Sequence, residues 1–120
     1  MTIYPTPMYM SRSSDNGKTW TPPVGIADRG SNPSLITLEN GILVCVYARP
    51  GVWVVFSDDN GKTWKGHTQV DRGRKYAYVV ETGSDSFAVF RVNPDNDNSN
   101  TRTTFFTVRK KADQAASRTK

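Results

Sequence analysis

An all-β chain of repeated four-stranded blades is the fold class this sequence predicts, and three observations predict it. First, the segment Ser13-Ser14-Asp15-Asn16-Gly17-Lys18-Thr19-Trp20 recurs as Ser57-Asp58-Asp59-Asn60-Gly61-Lys62-Thr63-Trp64, identical at seven of eight positions and offset by 44 residues. Second, another set of positions shares that offset: Leu35-Ile36 falls on Val79-Val80, and Leu43, Cys45 and Val46 fall on Phe87, Val89 and Phe90. Third, the residues between are short β-branched and aromatic runs, and Gly, Pro or β-branched residues interrupt every window long enough for a helix. A period of about 40–50 residues with short strands is the mark of a β-propeller, whose blades bury their faces by stacking on one another.

The elements follow in order. Residues 7–12 and 21–26 read as the last two strands of one blade. A complete blade spans 34–70, with strands at 34–38, 42–47, 52–56 and 66–70. Its first two strands flank Glu39-Asn40-Gly41, and Asn-Gly between apolar runs predicts a hairpin in which both residues tolerate positive φ. A further partial blade covers 76–109, with strands at 76–80, 86–92 and 103–109. The chain thus holds about two blades within residues 1–109, and residues 110–120 form a polar basic tail expected to be disordered.

Composition removes several function classes. The net charge is +5, but residues 1–100 carry ten basic and ten acidic side chains, and the excess sits in residues 101–120, six basic against Asp113. A neutral body with a basic end lacks the basic, aromatic-interleaved face of a nucleic-acid binder. No apolar run reaches membrane-spanning length, and residues 1–10 have neither the basic nor the apolar region of a secretory leader, so none is expected and the compartment stays open. Cys45 is the single cysteine, set in Ile42-Leu43-Val44-Cys45-Val46, and reads as a small buried hydrophobe. No metal site or cofactor is expected: Asp95-Asn96-Asp97-Asn98-Ser99-Asn100 alternates oxygen ligands, but Phe106 stands where a calcium loop needs its glutamate. His67, the single histidine, reads as an exposed strand residue.

The repeated octet makes sense as a hairpin turn. Asp15 and Asp59 are placed to accept backbone N–H groups of their own turns. Gly17 and Gly61 allow a backbone that other residues resist. Ser13, Thr19, Ser57 and Thr63 supply hydroxyls that tie the two arms, and Trp20 and Trp64 close the motif by packing beneath the hairpin. These ten residues are expected to serve the fold. Asp58 beside Asp59 invites a reading as paired catalytic carboxylates, but Asp15 does the same work with no acidic neighbour.

The octets resemble the Asp-boxes of the sialidase superfamily, the bacterial neuraminidase repeat proteins, and the likeness covers roughly residues 7–109. The run from Asn32-Pro33-Ser34-Leu35 through Asn40-Gly41 to Tyr47-Ala48-Arg49-Pro50-Gly51 looks like a stretch common in such proteins, and Tyr76-Ala77-Tyr78-Val79-Val80-Glu81 is similar to the strand that carries their nucleophilic tyrosine. The resemblance implies a six-bladed propeller acting on sialic acid through a tyrosine–glutamate pair, an acid/base aspartate and three carboxylate-binding arginines. A neutral tyrosine avoids repulsion from an anionic sugar, and arginine binds a carboxylate in two-pronged fashion. On this chain it implies Tyr76 as the candidate nucleophile position, Tyr78 as the alternative register and a substrate contact, and Arg49 as a substrate-binding arginine. No acid stands near Pro33-Ser34, and the Arg-Ile-Pro motif and a counterpart of the acid/base aspartate are absent from the sequence. The expectation is a sialidase-like propeller piece that acts on or binds sialic acid or a related glycan and is not catalytic as an isolated chain. The alternative is a non-catalytic glycan- or protein-binding module whose exposed aromatics, Trp53, Tyr76 and Tyr78, stack on sugar rings. An open propeller piece leaves exposed edge strands, which has two solutions: the chain is the carboxy-terminal part of a longer protein, the favoured reading, or copies of it complete one another's blades as a homotrimer or another ring.

Overall fold

The computed structural model describes residues 7–48, 51–73, 75–92 and 102–110. Among them there is no helix, and nine strands form three antiparallel sheets. The first pairs β1 (Met8–Met10) with β2 (Val24–Ala27). The second runs in sequence order through β3 (Ser31–Thr37), β4 (Leu43–Ala48), β5 (Val52–Ser57) and β6 (Lys65–Asp71). The third joins β7 (Tyr76–Gly83), β8 (Ser86–Val92) and β9 (Arg102–Thr107).

Local chemistry sets the strand limits. Pro22 and Pro23 cannot donate ladder hydrogen bonds, so β2 starts at Val24 instead of residue 21. β3 begins earlier than the apolar pattern suggests, at Ser31, and its register slips between Ser31 and Ser34, where Pro33 again removes a donor and Asn32 takes φ 52°. The turn from β3 to β4 departs from the two-residue expectation. Gly41 alone of the Asn40-Gly41 pair has positive φ. Asn40 works through its side chain, whose Oδ1 accepts the Ile42 N–H at 3.0 Å, while the Gly41 and Leu38 amides donate to Leu38 and Ile42 carbonyls.

The three sheets stack face to face in chain order, and β4 explains how. Every residue of β4 is buried, because its two faces feed two cores. Val44 and Val46 join Val52, Val54, Leu38 and Ile42 against Phe87 and Val89 of the third sheet. Cys45 and Tyr47 join Val55 against Met8 and Ile26 of the first. A strand buried on both faces reads as a continuous apolar run rather than an alternating one, which is why 42–47 is uniformly hydrophobic. Phe87 is fully buried, with its ring stacked on Phe106 at 5.0 Å and edge-on to Phe56 at 6.0 Å.

Polar links then lock second to third sheet. Asn40 Nδ2 donates to the Val108 carbonyl, the Asn40 amide to Ser84 O, and the Glu39 amide to the Glu81 carboxylate. At the opposite end buried Arg91 pairs with Asp71 at 3.1 Å and donates to Thr104. The third sheet departs from the strict period in one respect. Leu43 pairs with Ser57, whereas its counterpart Phe87 pairs with Phe106, not with residue 101. The connection into β9 is therefore five residues longer, and an apolar ring stands where the octet's first serine would be.

Candidate functional site

The two octets build nearly identical turns. Asp15 Oδ1 accepts the Thr19 amide at 2.8 Å and the Ser13 hydroxyl at 2.8 Å, and its other oxygen accepts the Thr19 hydroxyl. Asp59 does the same with the Thr63 amide at 2.9 Å, Ser57 at 2.8 Å and the Thr63 hydroxyl. The Ser13 and Ser57 hydroxyls in turn accept the amides of Gly17 and Gly61. Asn16-Gly17 and Asn60-Gly61 have positive φ throughout, 62° and 86° in one and 63° and 85° in the other. The hydrogen bonds from the Thr19 hydroxyl and amide push the Asp15 carboxyl down to about 2, and those from Thr63 likewise hold Asp59 below the usual carboxylate range. Asp58 lies outside this network and pairs with Lys65 at 3.0 Å. The two adjacent carboxylates thus have separate partners, and neither is set for proton transfer with the other.

The turns differ in surroundings. Gly61 is buried with its Cα against the Met10 methyl of the first sheet; a Cβ there would sit 2.3 Å from that carbon. Gly17 has only its own Trp20 nearby. Trp64 packs on the core between first and second sheets, leaving its buried Nε1 without a partner among the described residues. Trp20 departs from the packed position expected of it: it is 61% exposed, with Nε1 donating to Gly17 O at 3.1 Å. The reason is position, since among the described residues the first sheet has a neighbour on one face only.

The rim opposite these turns gathers the ends of β2, β4, β6 and β8 and the starts of β3, β5, β7 and β9. Tyr76 opens β7 there, paired with Val92. Its side chain and that of Tyr78 project from the outer face of the third sheet, 41% and 57% exposed, on the same face as Val80, Phe90 and Phe105. Among the described residues no carboxylate is hydrogen-bonded to Tyr76, and the nearest acid along its strand, Glu81, accepts from the Glu39 amide. Arg49 lies outside the described residues, as do Asp95–Asn100 and residues 111–120 of the basic tail. No cluster of His, Cys, Asp and Glu suited to a metal ion occurs among the described residues.

The same rim holds a concave feature that sequence reasoning did not assemble. A cleft of about 700 Å³ opens between the first and second sheets, lined by Tyr9, Asp28, Arg29, Tyr47, Trp53 and His67. His67 is an exposed strand residue, as expected, and it also bridges the sheets: its Nε2 lies 2.9 Å from the Ile26 carbonyl, and its ring meets Tyr47 edge-on at 6.4 Å. A carbonyl only accepts, so Nε2 carries the proton. Tyr47 is buried, and that burial, reinforced by nearby Cys45 and Asp28, pushes its hydroxyl up to about 12. The loop bearing Asp28 and Arg29 is held down by Gly30, where a Cβ would fall 2.8 Å from the Tyr47 ring and 2.9 Å from the Met8 sulfur. Of these lining residues Trp53 alone stood out as a sugar-stacking candidate. The only available pointer to Tyr9 was its place 44 residues before Trp53.

Stacked antiparallel sheets, two of them with the same octet turn between neighbouring strands, and with loops and aromatic rings at the other rim, define a repeat protein of the propeller type. Residues 4–89 match the BNR repeat-like domain family, and the chain belongs to that family. A sialidase of Bacteroides fragilis (strain YCH46) is 29% identical over 90 residues, covering 62% of this chain and 16% of that protein. The chain therefore spans about a sixth of the length of this curated relative. No solved structure matches it.

Proposed function

We propose that this chain is a glycan-binding segment of a sialidase-type propeller, taking sialic acid or a related sugar at the rim opposite the Asp-box turns, and that it does not hydrolyse glycosides alone. The observation that carries the reading is the placement of Tyr76: it starts a strand at the loop-bearing rim with its ring open to solvent, yet with no bonded carboxylate among the described residues to draw off its proton. A tyrosine needs such a base to become a nucleophile, whereas an exposed ring at that rim serves for stacking as it is. Membership in the repeat family and the likeness to a bacterial sialidase support the sugar class.

Two measurements test it: release of a fluorescent aglycone from an α-sialoside, and a titration with sialyllactose followed by NMR. The expected result is no release, with saturable shifts at Tyr76 and Tyr78 that Tyr76→Ala weakens. Release that disappears in Tyr76→Phe would establish an enzyme instead. A folded chain that shows no shift with any sialoside would remove the glycan reading.

A further inference from the structure

We propose that the open edge of β1 and the cavity beside it form a docking site for an apolar β-hairpin supplied by a separate polypeptide segment. The proposal goes beyond the reading above, since the site needs neither a glycan nor Tyr76.

Register carries the inference. Met8 pairs with Ala27, Tyr9 with Gly25 and Met10 with Val24, with an irregularity after Met8. At the 44-residue offset Val52 pairs with Asp71, Trp53 with Gln69 and Val54 with Thr68, with an irregularity after Val52. The β1–β2 ribbon thus repeats β5–β6 pair for pair. On its other side β5 pairs with β4, which sets Ala48 against Val52 and Val46 against Val54. Among the described residues β1 has no such second partner. An edge strand presents backbone N–H and C=O groups with which a further strand can pair. The packing behind this edge shows the same gap. Leu35 lies beside Cys45, on the face of the second sheet that meets Met8 and Ile26, yet it is 48% exposed. Its counterpart Val79 is packed against the second sheet, whose β3 and β4 lie against β7. Where the first sheet would hold equivalents of β3 and β4, a cavity of about 490 Å³ opens, lined by Met10, Arg12, Trp20, Leu35 and Leu43.

The gap defines its occupant. Residues directly opposite in an antiparallel pair share a face, so those set against Met8 and Met10 project toward the second sheet and must be apolar, as Ala48 and Val46 are. A hairpin fits better than a lone strand, because in the second sheet both β3 and β4 lie against the third. A second copy of the chain does not offer one intact. The flank that β1 would need is taken by β5 on β4 and by β9 on β8. The hairpin therefore belongs to another segment of polypeptide. Main-chain pairing along β1 supplies its affinity, and the apolar cavity at Leu35 selects its side chains.

The test is an NMR titration of the full chain with a synthetic peptide of residues 75–92, the β7–β8 hairpin without β9. By the 44-residue offset this peptide stands in for β3–β4, with Phe90 set against Met10 and Val92 against Met8. It is expected to shift the Trp20 indole N–H signal saturably and to slow hydrogen exchange at β1 amides. Leu35→Lys in the chain, with circular dichroism unchanged, should weaken binding about tenfold or more, because the hairpin would cover a charge. A peptide carrying Phe90→Lys should bind the unaltered chain as weakly. Three outcomes would overturn the site: no saturable shift, an equal response to a scrambled peptide, or an affinity unchanged by both Lys substitutions. A Trp20 shift that appears on concentrating the chain without peptide and is lost in Leu35→Lys would assign the edge to a second copy and refute the stated occupant.

Discussion

At the scale of the residue, the two octet turns form a natural experiment, the same eight-residue chemistry in two settings. The internal bonds of Asp15 and Asp59 match atom for atom, so any difference in their worth comes from surroundings. The second box supports a neighbouring sheet through Gly61 and Met10; the first supports only its own hairpin. Asp59→Ala should therefore lower the melting temperature more than Asp15→Ala, as circular dichroism melts of both variants will show. Both carboxyls are held below their ordinary range by hydrogen bonds made in the folded turn. A depressed acid stabilises the fold above its unfolded value, near pH 4, and that contribution fades as pH falls toward the folded value, about 2 for Asp15. The melting temperature should hold between pH 7 and 5 and decline below 4, with a shallower decline in Asp59→Asn. Cys45 is a third residue whose behaviour follows from its place. It is buried, and burial pushes its thiol up to about 11. The native chain should resist a thiol reagent at pH 8 and react fully once unfolded in denaturant.

At the scale of the element, strands were readable and contacts between sheets were not. Turn residues and β-branched runs mark all nine strands, since both signals are local. Asn40-Gly41 marked the right turn but not its form, because Asn40 satisfies the turn through its side chain instead of through positive φ. The longer entry to β9 escaped the period because insertions shift register without altering strand character. The cleft escaped for a different reason. Tyr9, Asp28 and Trp53 come from elements scattered over forty residues, and only stacking of the first sheet on the second brings them together. Tyr76 and Tyr78 could be placed on one face by alternation, but which face lies open depends on where the stack ends. Two substitutions test the packing itself. Phe87→Ala, which removes a ring held between Phe56 and Phe106, should cost about 3–5 kcal/mol in denaturant unfolding. Gly30→Ala forces a methyl against Tyr47 and Met8 and should cost about 1–3 kcal/mol by overpacking.

At the scale of the whole molecule, the stack ends on both sides with faces that look like interior. The outer face of the third sheet presents Tyr78, Val80, Phe90 and Phe105, the last 72% exposed, and the outer face of the first presents Tyr9. By the 44-residue equivalence the outer face of the third sheet corresponds to the face of the second that covers Phe87 and Val89, since Val80 takes the place of Ile36. The outer face of the first corresponds likewise to the face of the second that meets Met8 and Ile26, since Tyr9 takes the place of Trp53. Each end is thus shaped like one half of an interface the chain already forms twice. Exposed apolar faces of this kind drive association. The way copies would meet is also constrained. For β1 and β2 of one copy to extend β7 and β8 of another, β9 would have to leave the edge of β8 that it occupies. Stacking the third sheet of one copy on the first sheet of the next disturbs no strand. Such a contact is head-to-tail, and it either closes into a ring or runs on as a filament. We predict that the purified chain, 13.4 kDa as a monomer, associates in light scattering after size exclusion. Replacing Val80 and Phe105 together by Lys should return it to the monomer mass with its circular dichroism unchanged. A wild-type chain that stays monomeric at high concentration would exclude self-association through these faces, leaving them to be covered by other blades of a longer protein. A sharp oligomer mass that stays constant over a tenfold dilution would identify a closed ring, and a mass that climbs with concentration an open one.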